Sequence, residues 1–269
     1  MAAPQPAAPA ASAMKLNVVP ARTGMLWVRE GIQVVARQPL LMVGLFVMDW
    51  SVLGLLSAVP LFSVAAMVLL PAAALGYMVV TSDASAGKVP MPSRLLAGFQ
   101  QGRERTRALL ALGMLCTAVV LLVLLLTSAL IPLPEAASKD DPFAMLLSTR
   151  NVVAYAIQMP VNMLFCYAAA LSHWHGIAVG KSLFFSAVAL WKNFGAFMVF
   201  SLAWTVLTLA AGAIVKFAEA VGGSGAVLLL LIPAALLLST MMLASTWFTF
   251  RDSFSADPPA STEPPATTP

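Results

Sequence analysis

A chain of 269 residues that is 60% apolar and only 10% charged has too little charge to cover the surface of a water-soluble protein, since soluble domains carry about 25% charged residues. Its long, unbroken apolar runs predict an all-α membrane bundle and exclude a transmembrane β-barrel, whose strands alternate apolar and polar residues. The net charge of +4 does not indicate nucleic-acid binding, because the basic residues flank the apolar runs and form no single patch.

The two ends of the chain differ in composition from the rest. Residues 1–15 are rich in Ala and Pro and lack the basic segment and apolar stretch of a cleaved signal peptide. Residues 251–269 are rich in Pro, Ser and Thr. We expect both ends to be disordered, because they hold too few large apolar residues to fold. Residues 16–250 then form one integral membrane domain.

Six apolar runs are long enough to cross a bilayer as helices, which takes about 20 residues. The first two lie on either side of Pro60, which predicts a tight turn between them. The second span of each consecutive pair carries its own proline, namely Pro71, Pro160 and Pro233. The predicted spans are residues 40–59, 61–80, 108–131, 152–172, 194–215 and 226–248.

The distribution of Lys and Arg predicts the orientation. With the N-terminus in the cytoplasm, the inner segments hold all the Lys and Arg residues except Lys139, Arg150 and Lys216. Because Lys and Arg are enriched in cytoplasmic loops, the protein is predicted to be a multi-pass protein of the bacterial inner membrane with both termini in the cytoplasm.

A shorter, more polar segment precedes each pair of spans, and together they suggest a threefold repeat of an interfacial helix followed by a hairpin. These segments cover residues 24–40, 93–107, where Ser93 is placed as the N-cap, and 181–193. The first segment has a polar side, formed by Arg29, Glu30, Gln33 and Arg37, and an apolar side, formed by Trp27, Val28, Ile32 and Val35. One face of the third segment is formed by Ser182, Ser186, Ala189 and Asn193. We expect such helices to lie in the headgroup layer. The candidate contacts to anionic lipid headgroups are Arg29, Arg37, Arg103, Arg105, Arg107, Lys181 and Lys192.

One charged residue, Asp49, lies near the middle of a predicted span. A carboxylate at that depth costs several kcal/mol unless it is paired or hydrated, and marks a functional site by default. Asn162 lies at a similar depth in the fourth span, with Gln158 one turn away on the same side. A polar cluster of Asp49, Gln158 and Asn162 is therefore one hypothesis. The alternatives are that Asp49 is protonated, that it faces a wet groove and joins two helices, or that the span boundary is shifted and Asp49 lies nearer an interface beside Trp50.

His173 and His175 are the only histidines. Two histidines with one residue between them can bind a metal on an extended chain, but on a helix they diverge by about 200°. No cysteine or carboxylate lies nearby in the sequence, so a metal site here is only a minor candidate. Trp174 between them is typical of the aromatic belt at a membrane interface. Cys116 and Cys166 lie inside apolar runs and are predicted to be reduced packing residues.

Three stretches resemble an uncharacterised family of bacterial inner-membrane proteins that is frequent in betaproteobacteria. They are LNVVPARTGMLWVREGIQVVARQPLLMVGL at residues 16–45, LLAGFQQGRERTRALLALG at 95–113, and HWHGIAVGKSLFFSAVALWKNFGAFMVF at 173–200. The resemblance covers roughly residues 16–250. It implies a six-helix inner-membrane protein and carries no catalytic residues, because the family has no assigned activity.

These patterns favour a structural or accessory membrane protein that acts through helix and lipid contacts. Its expected partners are the bilayer, anionic lipid headgroups, and either a second copy of the chain or another membrane protein, with no nucleic acid. The alternative is a small transporter or channel that uses Asp49. An enzyme is the least favoured class, because no catalytic residue, metal site or cofactor motif is found. We expect no cofactor.

Overall fold

The computed structural model describes residues 14–132 and 148–256. Two three-residue strands, β1 Met14–Leu16 and β2 Phe254–Ala256, pair in an antiparallel ribbon. All other regular elements of the described ranges are helical. They are α1 Thr23–Arg37, α2 Pro39–Ala58, α3 Pro60–Ser85, a 3-10 helix at Pro92–Phe99, α4 Arg103–Leu130, α5 Thr149–His175, α6 Val179–Lys192, and the long segment Phe194–Ser253. Gly223, with φ of +71°, interrupts that segment, and we name its two apolar parts α7 (Phe194–Val221) and α8 (Leu229–Ser253).

Within the described ranges, six helices are long and apolar enough to cross a membrane: α2, α3, α4, α5, α7 and α8. This confirms the predicted all-α membrane bundle. Val59 is extended and Pro60 occupies the first turn of α3, a position where proline is tolerated because its missing N–H needs no partner. The break between the first two spans therefore lies where the sequence predicts it. Pro71, Pro160 and Pro233 lie inside α3, α5 and α8, also as predicted.

The helices pack tightly at one end of the bundle, which we call the basic end. It contains α1, the 3-10 helix, α6 and the β ribbon. The core side chains at this end come from the last part of α3, the last part of α5 and the adjoining parts of α7 and α8, for example Tyr77, Tyr167, Phe200 and Phe250. Toward the opposite end, many large apolar side chains are exposed, including Leu61, Leu125 and Phe217. In a bilayer these side chains face lipid or another membrane helix.

The β ribbon joins the two ends of the described chain. Leu16 pairs with Phe254, and Met14 pairs with Ala256. The prediction placed residues 14–15 and 251–256 in disordered tails, whereas the structure places them in the last turn of α8 and in the ribbon. The two strands lie more than 200 residues apart in sequence, so no local pattern reveals their pairing. The remaining tail residues, 1–13 and 257–269, lie outside the described residues.

The three segments predicted as interfacial helices differ in structure. Residues 93–107 do not form one helix, because the 3-10 helix ends at Phe99 and α4 begins at Arg103, after Gly102 with φ of +94°. Ser93 is therefore not an N-cap but lies inside the 3-10 helix, and Met91 precedes that helix. Arg103, Arg105 and Arg107 belong to the first turns of a spanning helix.

Helix α1 has the two faces that the sequence predicts, but its apolar face is inserted into the bundle. Trp27, Val28 and Val35 are buried, while Arg29 and Arg37 are exposed. Gly24 lies against the backbone of Ala196 and Phe200 in α7, and Gly31 lies against Ser245 and Met241 in α8. Helix α1 therefore packs across both spans of the last hairpin, and small residues allow this close approach.

Helix α6 packs against α5. Its small and polar face, formed by Ser182, Ser186 and Ala189, is fully buried. The Ser182 hydroxyl donates to the Val179 carbonyl at 2.8 Å, and the Ser186 hydroxyl donates to the Ser182 carbonyl at 2.7 Å. Because these hydroxyls are satisfied within the helix, the face behaves as a small, non-polar packing surface.

Candidate functional site

Asn193 is the centre of a hydrogen-bonded joint at the basic end. It lies between α6 and α7 and is 1% exposed. Its side-chain carbonyl accepts the Val19 N–H at 2.9 Å, and its amide nitrogen donates to the Asn17 carbonyl at 3.0 Å and to Ser253 Oγ at 3.3 Å. The sequence placed Asn193 on one face of an interfacial helix with Ser182, Ser186 and Ala189, and the structure buries it and satisfies its amide. The joint is structural in character.

A second set of polar contacts fastens α1 to the end of α8. The Trp27 indole N–H donates to Asp252 Oδ2 at 2.9 Å, and the Trp27 side chain is fully buried. Arg251 forms ion pairs with Glu30 at 3.0 Å and with Asp252 at 2.8 Å. Tyr167 packs edge-on against Phe197, Phe250 and Phe254 below this set. These contacts fix the position of α1 between α7 and α8.

The outer face of α6 carries exposed aromatic side chains between two lysines. Phe184 is 64% exposed and Trp191 is 83% exposed. Lys181 and Lys192, at the two ends of the helix, are both exposed. Helix α6 contains no acidic residue. A face with large apolar rings in the middle and cations at both ends matches the profile of a membrane interface, where lysines reach the headgroups while aromatic rings enter the acyl boundary.

A cleft of about 590 Å³ opens beside the start of α6. Its lining comes from the turn after α5 and from the first two turns of α6, and includes Lys181, Phe184 and Phe185. The cleft is mostly apolar with one cationic side chain at its edge. It is large enough for part of a lipid molecule, and it continues the aromatic face of α6.

The three arginines at the start of α4 have different surroundings. Arg105 donates to the Gln101 side-chain carbonyl and to the His173 main-chain carbonyl, the latter at 3.4 Å. It therefore contacts the last turn of α5, where a cation is favourable. Arg103 and Arg107 are exposed and have no hydrogen bond or ion pair within residues 14–132 and 148–256. Of the predicted lipid contacts in this cluster, these two are directed away from the protein.

His173 and His175 lie in the last turn of α5, where the helical geometry points them apart. The Gln101 amide nitrogen lies 3.3 Å from His173 Nε2. Because an amide nitrogen only donates, Nε2 accepts and the ring proton is on Nδ1. In the part of the chain that the structure describes, no group of three or more His, Cys, Asp or Glu side chains could hold a metal ion.

Asp49 lies at the middle of α2, ten positions after Pro39, and one of its carboxylate oxygens, Oδ2, is buried. Oδ2 has no hydrogen-bond partner among the described residues. Helix α2 packs against α3, and α3 packs against α5. Helix α5, which carries Gln158 and Asn162, packs against α3, α4 and α6 and is not a main packing neighbour of α2. The predicted cluster of Asp49, Gln158 and Asn162 does not form within the described chain.

Gln158 and Asn162 lie four residues apart in α5 and so share one helix face. Asn162 is exposed, and Gln158 is half-buried with Oε1 unpaired within the described ranges. Tyr155, which the sequence analysis did not single out, belongs to the same face and is 61% exposed. Tyr155 lies three residues before Gln158 and seven before Asn162. Side chains at these spacings share a helix face, so the sequence pattern was sufficient to place Tyr155 beside the two amides.

The two cysteines, Cys116 and Cys166, are free and buried, as predicted. The Cys166 thiol lies 3.3 Å from the Met78 sulfur. Both cysteines belong to the packed interior of the bundle. No thiol is therefore exposed on the surface of the described residues.

Comparisons with known proteins give one informative match. No known family model matches the sequence, and no solved structure matches it. The chain is 32% identical over 271 residues to a probable inner membrane protein of Burkholderia thailandensis, and the alignment covers 94% of this chain and 99% of the relative. That similarity agrees with the six apolar helices of the structure. The chain therefore belongs to the same family of multi-pass bacterial inner-membrane proteins as this Burkholderia relative.

Proposed function

We propose that this protein is a structural or accessory protein of the inner membrane, which acts through helix and lipid contacts and catalyses no reaction. The observation that supports this proposal is the outer face of α6, where Phe184 and Trp191 are exposed between Lys181 and Lys192. Exposed aromatic rings are unfavourable in water, whereas at the boundary between headgroups and acyl chains they are removed from it. It holds the basic end of the bundle in the interface.

The chemistry of α6 favours anionic lipids. Each lysine near an anionic surface contributes about 1 kcal/mol, and removing a large aromatic side chain from water contributes about 1.5–3 kcal/mol. No acidic side chain on α6 opposes this attraction. Arg29, Arg37, Arg103 and Arg107 are exposed at the same end of the bundle and add to the positive field.

The same charges support a cytoplasmic position for the basic end. The exposed cations lie beside the starts of α2, α4 and α7, whereas Lys216 lies toward the opposite end of α7 and pairs with Glu219 at 3.1 Å. An excess of Lys and Arg on one side of the spans marks the cytoplasmic side. With this orientation, α6 rests on the inner leaflet, and both ends of the chain are cytoplasmic.

Retention of lipid tests the proposal. The full chain is reconstituted in nanodiscs with equal amounts of phosphatidylglycerol and phosphatidylcholine, extracted gently, and its bound lipids are counted by native mass spectrometry. We expect enrichment of phosphatidylglycerol for the wild type and loss of most of that enrichment for the double variant Lys181→Gln, Lys192→Gln. Lys216→Gln is the matched control and is expected to retain the wild-type enrichment. Equal retention of both lipids by the wild type, or an equal loss in the control, would rule out the lipid contact.

A second candidate function, transport of protons or small cations, is supported by Oδ2 of Asp49 at mid-span, which is buried and has no partner among the described residues. Intramembrane carboxylates of this kind occur in proton relays and ion pathways. The test is flux in proteoliposomes with a pH-sensitive dye inside, for the wild type and for Asp49→Asn. Transport requires that the wild type moves protons or monovalent cations and that Asp49→Asn abolishes this flux. Equal flux in the two proteins excludes a role of Asp49 in transport.

A further inference from the structure

Helix α5 carries a stripe of polar side chains on its outer half. Tyr155, Gln158 and Asn162, at spacings of three and four residues, fall within an arc of about 60° on a helix. Tyr155 and Asn162 are exposed, and Gln158 has its amide oxygen buried without a partner in the described chain. Asn162 is 13 residues from Thr149 and 13 residues from His175, so it is the middle residue of α5. It therefore lies close to the centre of the bilayer.

These amides differ from hydroxyl side chains in the same membrane-spanning region. The hydroxyl groups there donate to carbonyls of their own helices: Ser57 to Gly54 at 2.9 Å, Ser128 to Leu125 at 2.8 Å, and Thr205 to Ser201 at 2.9 Å. A hydroxyl satisfied in this way can face lipid. An amide has two donor hydrogens and an acceptor oxygen, and lipid chains offer it no partner. The exposed amide of Asn162 thus requires a hydrogen-bonding surface beyond the described chain, whereas Gln158 Oε1 is covered by this chain and lacks a partner among the described residues.

We propose that this stripe is the contact surface for a second copy of this chain, with α5 packed against α5 in a symmetric dimer. Two copies inserted in the same direction are related by a twofold axis along the membrane normal, so each residue of α5 meets its own counterpart at the same depth. An amide is both a donor and an acceptor, so Asn162 can pair reciprocally with Asn162 of the second copy. In a second copy, the twofold symmetry places the Asn162 amide at the same depth in the bilayer as the Asn162 amide of the first copy.

The spacing and charge of the stripe also fit self-association. Alternating steps of three and four residues define the seam of two helices that cross at a small angle, and asparagine in such a seam favours pairing of like helices. Residues 151–172 of α5 contain no charged side chain, so two copies do not repel one another. Polar side chains of this type hold membrane helices together through interhelical hydrogen bonds.

Disulfide crosslinking tests the geometry in the full chain. Tyr155→Cys and Asn162→Cys are compared with Ile157→Cys, which is 42% exposed but points away from the stripe. The wild type serves as the blank, because Cys116 and Cys166 are buried. Two differently tagged forms are co-expressed and oxidised in native membranes. We expect dimers that carry both tags for Asn162→Cys and Tyr155→Cys at several times the yield of Ile157→Cys. Equal yields at the three positions, or a crosslink to a different membrane protein, overturn the proposal.

The association constant tests the hydrogen bonds. Single-molecule photobleaching in liposomes measures the dimer fraction as a function of protein density for the wild type and for the double variant Gln158→Leu, Asn162→Leu. Interhelical hydrogen bonds in membranes are worth roughly threefold to thirtyfold in association, and we expect a loss in that range. Ser128→Leu is the control, since its hydroxyl is satisfied within α4. Leucine is compatible with lipid, so these variants fold. Unchanged association in the double variant, or a monomeric wild type, contradicts the proposal without affecting the lipid contact of α6.

Discussion

The side-chain amide of Asn193 donates to the main-chain carbonyl of Asn17 at 3.0 Å across 176 positions of sequence. The same side chain accepts the Val19 N–H and donates to Ser253 Oγ. One buried amide therefore connects the segment before α1, the joint between α6 and α7, and the end of α8. Together with the β ribbon, it closes the basic end of the bundle.

Replacing Asn193 with alanine is expected to destabilise the protein by about 2–4 kcal/mol. The substitution removes three hydrogen bonds and takes away the acceptor of the Val19 N–H, and an unsatisfied buried group costs about 1–3 kcal/mol. Thermal unfolding in a mild detergent, followed by circular dichroism, measures the change. Gln33→Ala, which removes an exposed amide from α1, is the control and should have little effect. An equal effect of the two substitutions would argue against the joint.

Gly31→Ala is expected to weaken the packing of α1 on α8. A Cβ atom at Gly31 would lie 2.8 Å from Ser245 Cβ and 2.9 Å from the Met241 carbonyl oxygen, inside normal contact distance. Overpacking of this kind costs about 1–3 kcal/mol. Gly44→Ala in α2 is the matched control, because a Cβ atom there meets nothing within 4 Å. Alanine is the better helix former by roughly 0.5–1 kcal/mol, so Gly44→Ala should be neutral or stabilising. Melting temperatures that change in the same direction for both would contradict the close approach.

Arg103 and Arg105 are expected to respond differently to substitution, although they are two residues apart. Arg105→Gln removes the contacts to Gln101 and to the end of α5, and should lower stability by about 1 kcal/mol, since hydrogen bonds from an exposed cation are partly screened. Arg103→Gln should leave stability unchanged and reduce the retention of anionic lipid. The measurements are thermal unfolding and bound-lipid counting on the same samples. If Arg103→Gln and Arg105→Gln change stability and lipid retention in the same way, the two arginines do not have different roles.

The spans were predictable because their signal is local. Each apolar run is as long as a bilayer is thick, and Pro60 separates the first two runs without help from any distant residue. The ends of the spans were less predictable. Helix α3 continues to Ser85 and α4 begins at Arg103, because polar residues extend a spanning helix beyond the hydrocarbon core. Hydropathy does not detect that extension.

The sequence groups Ser182, Ser186 and Ala189 on one face of α6 but does not indicate that this face is the buried one. Ser182 and Ser186 count as polar in any hydrophobicity scale, yet their hydroxyls bond to their own helix and leave a small surface that packs closely on α5. The large apolar rings of Phe184 and Trp191 are exposed instead. At a membrane interface, the lipid-facing side of a helix is the more apolar one, so the rule for soluble proteins is reversed.

The candidate polar cluster shows where sequence reasoning reached its limit. The sequence identified Asp49 as an unusual charge and placed Gln158 and Asn162 on one face of α5, because both inferences need only one helix. Whether Asp49 meets that face depends on how α2, α3 and α5 are arranged, and α2 and α5 are not main packing neighbours. Likewise, the pairing of β1 with β2 depends on the whole fold.

The orientation of the bundle can be tested with single thiols at its two ends. Lys88→Cys lies in an exposed loop after α3, at the basic end, and Lys216→Cys lies on an exposed part of α7 toward the opposite end. The wild type gives a low background, because both native cysteines are buried. In intact spheroplasts, a membrane-impermeant maleimide should label Lys216→Cys at once and label Lys88→Cys only after permeabilisation. This result follows from the excess of Lys and Arg at the basic end, which are retained on the cytoplasmic side during insertion. Labelling of Lys88→Cys in intact spheroplasts would place α6 and both ends of the chain in the periplasm, and α6 would then contact the outer leaflet of the inner membrane.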